Sequence, residues 1–179
     1  METIKQKEKK AYSSLKAKYG YKSIMAAPHL VKVVVASGTG SGIKRNKDHN
    51  KLVIERLTKI TGQKPATKSA KKSIATFKTR LGDPIGVMVT LRGARMYGFL
   101  DKLFNVAIPR TKDFRGIERK IVDNIGNLTL SIKEHTIFPE TADEELKDVF
   151  GLAVTIVTTA KTKPEATEFF DLIGFPFKK

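Results

Sequence analysis

Short apolar segments of two different periods alternate along this chain, and that alternation restricts the folds open to it more than any other feature does. Residues 86–92 set Val87, Val89 and Leu91 against Met88, Thr90 and Arg92, the two-residue rhythm of a strand with one buried face. The run Leu30-Val31-Lys32-Val33-Val34-Val35, two residues after Pro28, is too short and too β-branched for a helix and reads as another strand. Further strands are expected at 128–134 and 152–159. Between these segments the step changes to three and four. Ile4, Tyr12, Leu15 and Tyr19 mark an amphipathic helix with a cationic outer face, which Gly20 can stop. Leu52, Val53, Leu57 and Ile60 mark a second over 48–60, with Gly62 as its stop. Met96, Phe99, Leu100, Leu103 and Phe104 mark a third that ends before Pro109, and the polar, Arg-containing stretch 109–126 reads as loop. An acidic helix over 142–150 and a last helix over 165–172 complete the series. One-faced strands interleaved with helices predict an α+β two-layer sandwich, an antiparallel sheet with helices mainly on one face and the other face partly open. With no internal repeat and no low-complexity linker, residues 1–179 are expected to form a single domain.

A domain of 179 residues buries roughly 70% of the surface its unfolded chain exposes, so it needs no disulfide or metal to hold it together. The chain contains no cysteine, which removes disulfides, thiolate zinc sites and cysteine nucleophiles and fits a reducing compartment such as the cytoplasm. No apolar run approaches the roughly 20 residues that span a bilayer, and the charged residues 1–10 precede no apolar segment. No membrane partner is expected, and the mature protein is expected to be the whole chain.

Charge is distributed one-sidedly. Up to Arg80 there are 20 Lys and Arg against four Asp and Glu, which accounts for the entire net charge of +16, and the remainder is balanced. Such a distribution suits a surface that neutralises a polyanion, foremost a phosphate backbone. Within it, residues 63–80 hold Lys64, Lys68, Lys71, Lys72, Lys78 and Arg80 and no acid. Residues 73–78 alternate imperfectly, Gly82-Asp83-Pro84 makes a turn, and 86–92 follows as a strand, so this region reads as a hairpin with basic flanks. Lysine and arginine supply phosphate affinity with little sequence information, so the block argues for RNA or DNA without naming the target. For Phe77, core packing is favoured over stacking on a base.

Other chemistries find less support. The loop Ser37-Gly38-Thr39-Gly40-Ser41-Gly42 follows a strand and its backbone is free to take positive φ, but the third glycine of a dinucleotide fingerprint would fall at Ile43, and no Lys-Ser/Thr follows Gly42. Close approach of its backbone to RNA phosphate, at Gly38 and Gly40, stands beside a plain strand-to-helix connection. His29, His49 and His135 are scattered and form no metal-binding pair, and Asp143, Glu144, Glu145 and Asp148 read as a solvated helix face. The aromatic pattern of an RNA-recognition motif is absent. A general RNA-binding or RNA-chaperone module and a nucleotide-dependent enzyme using the glycine loop both remain as alternatives to a dedicated RNA-binding protein, and no cofactor is implied.

Specific motifs sharpen this. Gly62-Gln63-Lys64-Pro65, Ala70-Lys71-Lys72-Ser73, Pro84-Ile85-Gly86, Val89-Thr90-Leu91-Arg92-Gly93, Arg95-Met96, Pro109-Arg110, Asp113-Phe114-Arg115-Gly116, Gly126-Asn127, Ile137-Phe138-Pro139-Glu140, Thr158-Thr159-Ala160-Lys161 and Phe175-Pro176-Phe177 follow one another in the order and spacing of the bacterial large-subunit ribosomal protein five family. The chain resembles that family over nearly its full length. The resemblance implies a non-enzymatic α+β protein that binds 5S rRNA and helps anchor it in the central protuberance of the large subunit, among large-subunit rRNA. It also implies contact with P-site tRNA and an intersubunit bridge through a small-subunit ribosomal protein. By the same resemblance Gln63, Lys64, Lys68, Lys71, Lys72, Thr90 and Arg92 face 5S rRNA, while Lys78, Arg80 and Gly82 lie on a tRNA-reaching hairpin. The family's usual Asn-Met-Gly-Val-Gly stands here as Ala36-Ser37-Gly38-Thr39-Gly40, so Ala36 lacks the Asn side chain. Its usual Thr-Lys-Ala stands as Lys68-Ser69-Ala70, and a lysine moved by one residue along a strand would turn to the other face.

Overall fold

The computed structural model describes residues 2–45, 48–112, 114–142 and 149–178. The acidic segment expected to be helical over 142–150, with Asp143, Glu144, Glu145 and Asp148, falls at 143–148, outside the described residues, as does Asp113. The strands are β1 (Leu30–Gly38), β2 (Ala66–Ser69), β3 (Pro84–Leu91), β4 (Leu128–Ile132) and β5 (Leu152–Thr158), in an antiparallel sheet of order β2-β3-β1-β5-β4. The helices are α1 (Ile4–Tyr19), α2 (Gly40–Arg45), α3 (His49–Thr61), α4 (Gly93–Lys102) and α5 (Lys163–Ile173). This is the α+β class that the two periods predict. Burial is one-sided along the strands. Val87, Val89 and Leu91 are buried on β3 and Leu152, Val154, Ile156 and Thr158 on β5, while the residues between them stay partly open.

The chain forms two compact units, one of Met1–Val33, Arg92–Leu130 and Thr155–Lys179, the other of Val34–Leu91 and Ser131–Val154. In the first, α1 packs on α5 and α4 through Ile4, Ala11 and Leu15, and Gly20 ends it in the left-handed conformation (φ 65°), its N–H bonded to Lys16 O. Glu8 ties this helix to two distant segments, its carboxylate accepting from Leu30 N–H at 2.8 Å and from the Tyr97 hydroxyl at 2.5 Å. Burial first, and then the bond to Glu8, pushes the Tyr97 phenol well above the usual tyrosine range; burial and Glu165 do the same to Tyr21. The C-terminal Phe175-Pro176-Phe177 is structural: Phe175 packs edge-on against Phe104 at 5.2 Å, Ile117 N–H bonds to Pro176 O, and Arg119 pairs with Asp171 while lying over the Phe177 ring. Gly126-Asn127 meets the motif at 158–160, with the Thr158 hydroxyl donating to Gly126 O at 2.7 Å.

In the second unit α3 packs on β3, burying Val53, Leu57 and Ile60, and Gly62 stops it at φ 67°. Arg56 is also inside, 7% exposed, with Nη1 3.1 Å from Nε2 of the buried His135, whose ring stacks on Phe150 at 4.2 Å. Three further differences from the sequence reading lie here. Ser37-Gly38 continues β1 and Gly40 opens α2, so the expected glycine loop is strand and helix; the buried Ser37 hydroxyl bonds to Gly151 O, and Thr39 N–H bonds to Ile85 O. None of Gly38, Gly40 and Gly42 takes the positive φ expected of a flexible loop, because sheet pairing and helical turns occupy that backbone. Residues 73–78 form no arm of a hairpin: the arms are β2 and β3, and 73–78 is a turn around the single bridge Ile74–Thr79.

Candidate nucleic-acid interface

The β2–β3 hairpin is built from residues that alternate strictly up to one point. Ala66 pairs with Met88, Thr67 with Val87 and Lys68 with Gly86, and directly opposed residues share a face, so Lys68, Met88 and Thr90 belong to the face opposite buried Val87 and Val89. Then the register slips, and Ser69 pairs with Pro84 across a bulge. Strict alternation therefore ends at Lys68, and a shift from position 69 to 68 does not act as it would on a regular strand. Gln63 and Thr90 meet directly, the Gln63 amide donating to Thr90 O at 3.2 Å. Lys64 lies exposed beside buried Pro65. Arg92 follows β3 in extended conformation (φ −140°, ψ 162°), exposed at the head of α4.

Beyond the bulge, residues 70–83 form a loop ordered by its own hydrogen bonds. Ala70 N–H bonds to Asp83 O at 2.8 Å and Gly82 N–H to Ala70 O at 3.1 Å, closing the base. Ile74 and Thr79 exchange both backbone bonds farther out, Arg80 N–H bonds to the Asp83 carboxylate at 2.7 Å, and Leu81 N–H bonds to the Ser73 hydroxyl at 3.0 Å. Gly82 thus sits at the base of the loop and Lys78, at φ 49°, at its far turn. Every residue of 71–78 is exposed. Phe77 departs from its expected core position: it is 63% exposed, on a turn closed around the Ile74–Thr79 bridge. Ile74, Leu81 and Ile85 are exposed beside it.

Some cations elsewhere pair with acids, Lys10 with Glu2, Lys18 with Glu168, Lys51 with Asp48, Lys59 with Glu55 and Arg119 with Asp171. Among the described residues, Lys64, Lys68, Lys71, Lys72, Lys78, Arg80 and Arg92 make no ion pair. An exposed cation without an internal counter-charge leaves its full charge to an outside anion. The two glycines singled out for backbone approach differ. A side chain at Gly38 would meet nothing within 4 Å, leaving its backbone open, whereas one at Gly40 would stand 3.8 Å from Ile85 O, so Gly40 has a partner within the fold. Gly42 lies flat against the His49 ring. Among the described residues no group of three or more His, Asp or Glu could hold a metal ion, and no helix is long and apolar enough to cross a membrane. The apolar side chains of the loop are the part of this surface that the sequence reading missed; the imperfect alternation of 73–78 among lysines was their only signal.

The fold and this surface define a class, a basic α+β protein whose β2–β3 hairpin and flanks carry exposed cations that make no ion pair. Residues 23–80 match the family model described as Ribosomal protein L5, and residues 84–177 match the model of that ribosomal family's C-terminus, the two stretches meeting in the 70–83 loop. The chain belongs to the ribosomal protein L5 family. It is therefore a structural protein of the large ribosomal subunit in the cytoplasm, not an enzyme, with the ribosome and its rRNA as partners in translation. This removes the nucleotide-dependent enzyme as an alternative.

Proposed function

We propose that the chain, acting as a single domain over residues 1–179, binds 5S rRNA and anchors it in the central protuberance against large-subunit rRNA. The observation that carries this is the set of exposed cations without ion-pair partners on the hairpin and its flanks. Lys64, Lys68, Lys71 and Lys72 hold phosphates of 5S rRNA, Arg92 brings its fork to a phosphate or base edge, and the Thr90 hydroxyl adds a short hydrogen bond. Gln63 contributes by fixing the Thr90 backbone as well as by any contact of its own. Gly38, with open space over it, lets RNA backbone come close, and Gly40 shapes the neighbouring turn of chain. The 70–83 loop reaches P-site tRNA with Lys78 and Arg80, and Gly82 closes the base on which that reach depends. A small-subunit ribosomal protein completes an intersubunit bridge.

Competition binding tests the central claim. The purified chain should retain labelled 5S rRNA in an excess of an unrelated RNA of equal length. Equal displacement by both RNAs would leave only a general RNA-binding module and refute the assignment to 5S rRNA.

A further inference from the structure

The outer face of α1 carries cations that the hairpin does not account for. Steps of four, three and four residues return to one side of a helix, so Lys5, Lys9, Tyr12 and Lys16 form a stripe, separate from the side buried through Ile4, Ala11 and Leu15. The three lysines are exposed and, among the described residues, make no ion pair, whereas Lys10 pairs with Glu2 and Lys18 with Glu168. Glu8, the only acid within the helix, turns its carboxylate to Leu30 N–H and the Tyr97 hydroxyl, so the stripe has no counter-charge of its own. Lys16 Nζ lies 5.8 Å from the centroid of the half-buried Tyr12 ring, which steadies it. At about 1.5 Å per residue the stripe is a straight row of charge roughly 16 Å long. A protein partner would need an apolar anchor on this face, and α1 exposes no large hydrophobic side chain. A single strand gains affinity by stacking its bases on open aromatic faces, and the Tyr12 ring lies beneath Lys16. The backbone of an RNA duplex needs neither, only point charges along a stiff edge.

We propose that the Lys5, Lys9 and Lys16 stripe of α1 is a second RNA-binding surface, which holds the phosphate backbone of a double-helical segment of rRNA by charge and shape without reading its sequence. The inference rests on the rRNA-binding role of the chain and adds to it a surface in the first compact unit, whereas the β2–β3 hairpin belongs to the second. Lysine suits the task, since its ammonium is a compact charge on a flexible stem that meets a phosphate without demanding a particular base.

The test uses the full chain, a blunt-ended RNA duplex and a single-stranded RNA of equal charge. Lys5→Gln, Lys9→Gln and Lys16→Gln together should lower the slope of log affinity on log salt for the duplex by about 2.7, so that fourfold more salt costs the variant about 40-fold less than it costs the unaltered chain. Lys9→Gln alone should lower it by about 0.9, and Lys10→Gln, whose charge already has Glu2 beside it, by much less. The three side chains are exposed and glutamine is nearly as good a helix former as lysine, so the urea midpoint should stay in place; if it moves, the comparison of Lys9→Gln with Lys10→Gln decides. At one fixed salt concentration the affinity loss should fall on the duplex and spare the single strand, and equal loss on both removes the duplex as the partner. Preference for 5S rRNA over an unrelated RNA should survive the triple substitution, because separate sites contribute independently. An unchanged duplex slope in a chain that still prefers 5S rRNA overturns the stripe and leaves the 5S assignment standing, whereas a lowered slope in a chain that never preferred 5S rRNA supports the stripe and refutes that assignment. If the unaltered chain binds no RNA, both readings fall together.

Discussion

Glu8 shows how much a single residue decides that its own position in the chain does not reveal. Its place on α1 follows from local periodicity, but its two partners, Leu30 N–H and the Tyr97 hydroxyl, lie 22 and 89 residues away. Removing both bonds with Glu8→Ala should destabilise the fold by about 1–3 kcal/mol, and Tyr97→Phe by about 1 kcal/mol, read from urea unfolding midpoints. Burial of Tyr97 and Tyr21, with their bonds to Glu8 and Glu165, sets a pH dependence. Tyr97 and Tyr21 are held protonated in the folded chain above the ordinary tyrosine value near 10, so above about pH 10 the unfolded state releases protons that the folded state keeps. Stability from these groups should be full below pH 10 and fall as pH rises toward their raised values. Tyr97→Phe should flatten that alkaline loss, and an unchanged slope would remove Tyr97 as its source. On the RNA side, Arg92→Ala should cost about 1–3 kcal/mol with 5S rRNA and much less with an unrelated RNA. Equal losses on both would reduce Arg92 to general attraction.

At the scale of elements, the β2–β3 hairpin separates two kinds of information. The alternation of Val87, Val89 and Leu91 made β3 legible, because burial of one face imposes a two-residue period that any reader of the chain can see. The arm opposite was not legible: β2 is four exposed residues, Ala66–Ser69, whose only reason to be extended is the partner strand. The loop followed the same rule, since Ile74 and Phe77 looked like inward residues of a strand and instead close a turn around a single bridge. The acid-free lysine block, by contrast, pointed to the interface element without any structure. Closed at its base by the Ala70–Asp83 and Gly82–Ala70 bonds, the loop should tolerate charge reversal at its exposed far end. Ribosomes assembled with Lys78→Glu and Arg80→Glu together should incorporate 5S rRNA almost normally and lose P-site tRNA retention, because distant sites contribute independently. Collapse of 5S incorporation with normal tRNA retention would assign the loop to the 5S interface instead.

For the whole molecule, the charge asymmetry makes a prediction that no single residue carries. If about six of the unpaired cations engage largely single-stranded RNA phosphates, log affinity should fall with log salt at a slope of about −4, so that fourfold more salt costs roughly 10²- to 10³-fold in binding. A nearly flat dependence would remove the electrostatic account. The helices α1, α3, α4 and α5, the helix stops at Gly20 and Gly62, the strands β1, β3, β4 and β5 and the basic half of the chain were legible in the sequence alone, because periodicity, turn chemistry and charge are properties of residues near one another in the chain. Tertiary structure alone decided that Arg56 is buried against His135, that Phe77 is outside, that Gly40 packs on Ile85, and which cations are left without an acid. Burial and charge pairing depend on atoms brought together from segments tens of residues apart, and no local pattern encodes those meetings.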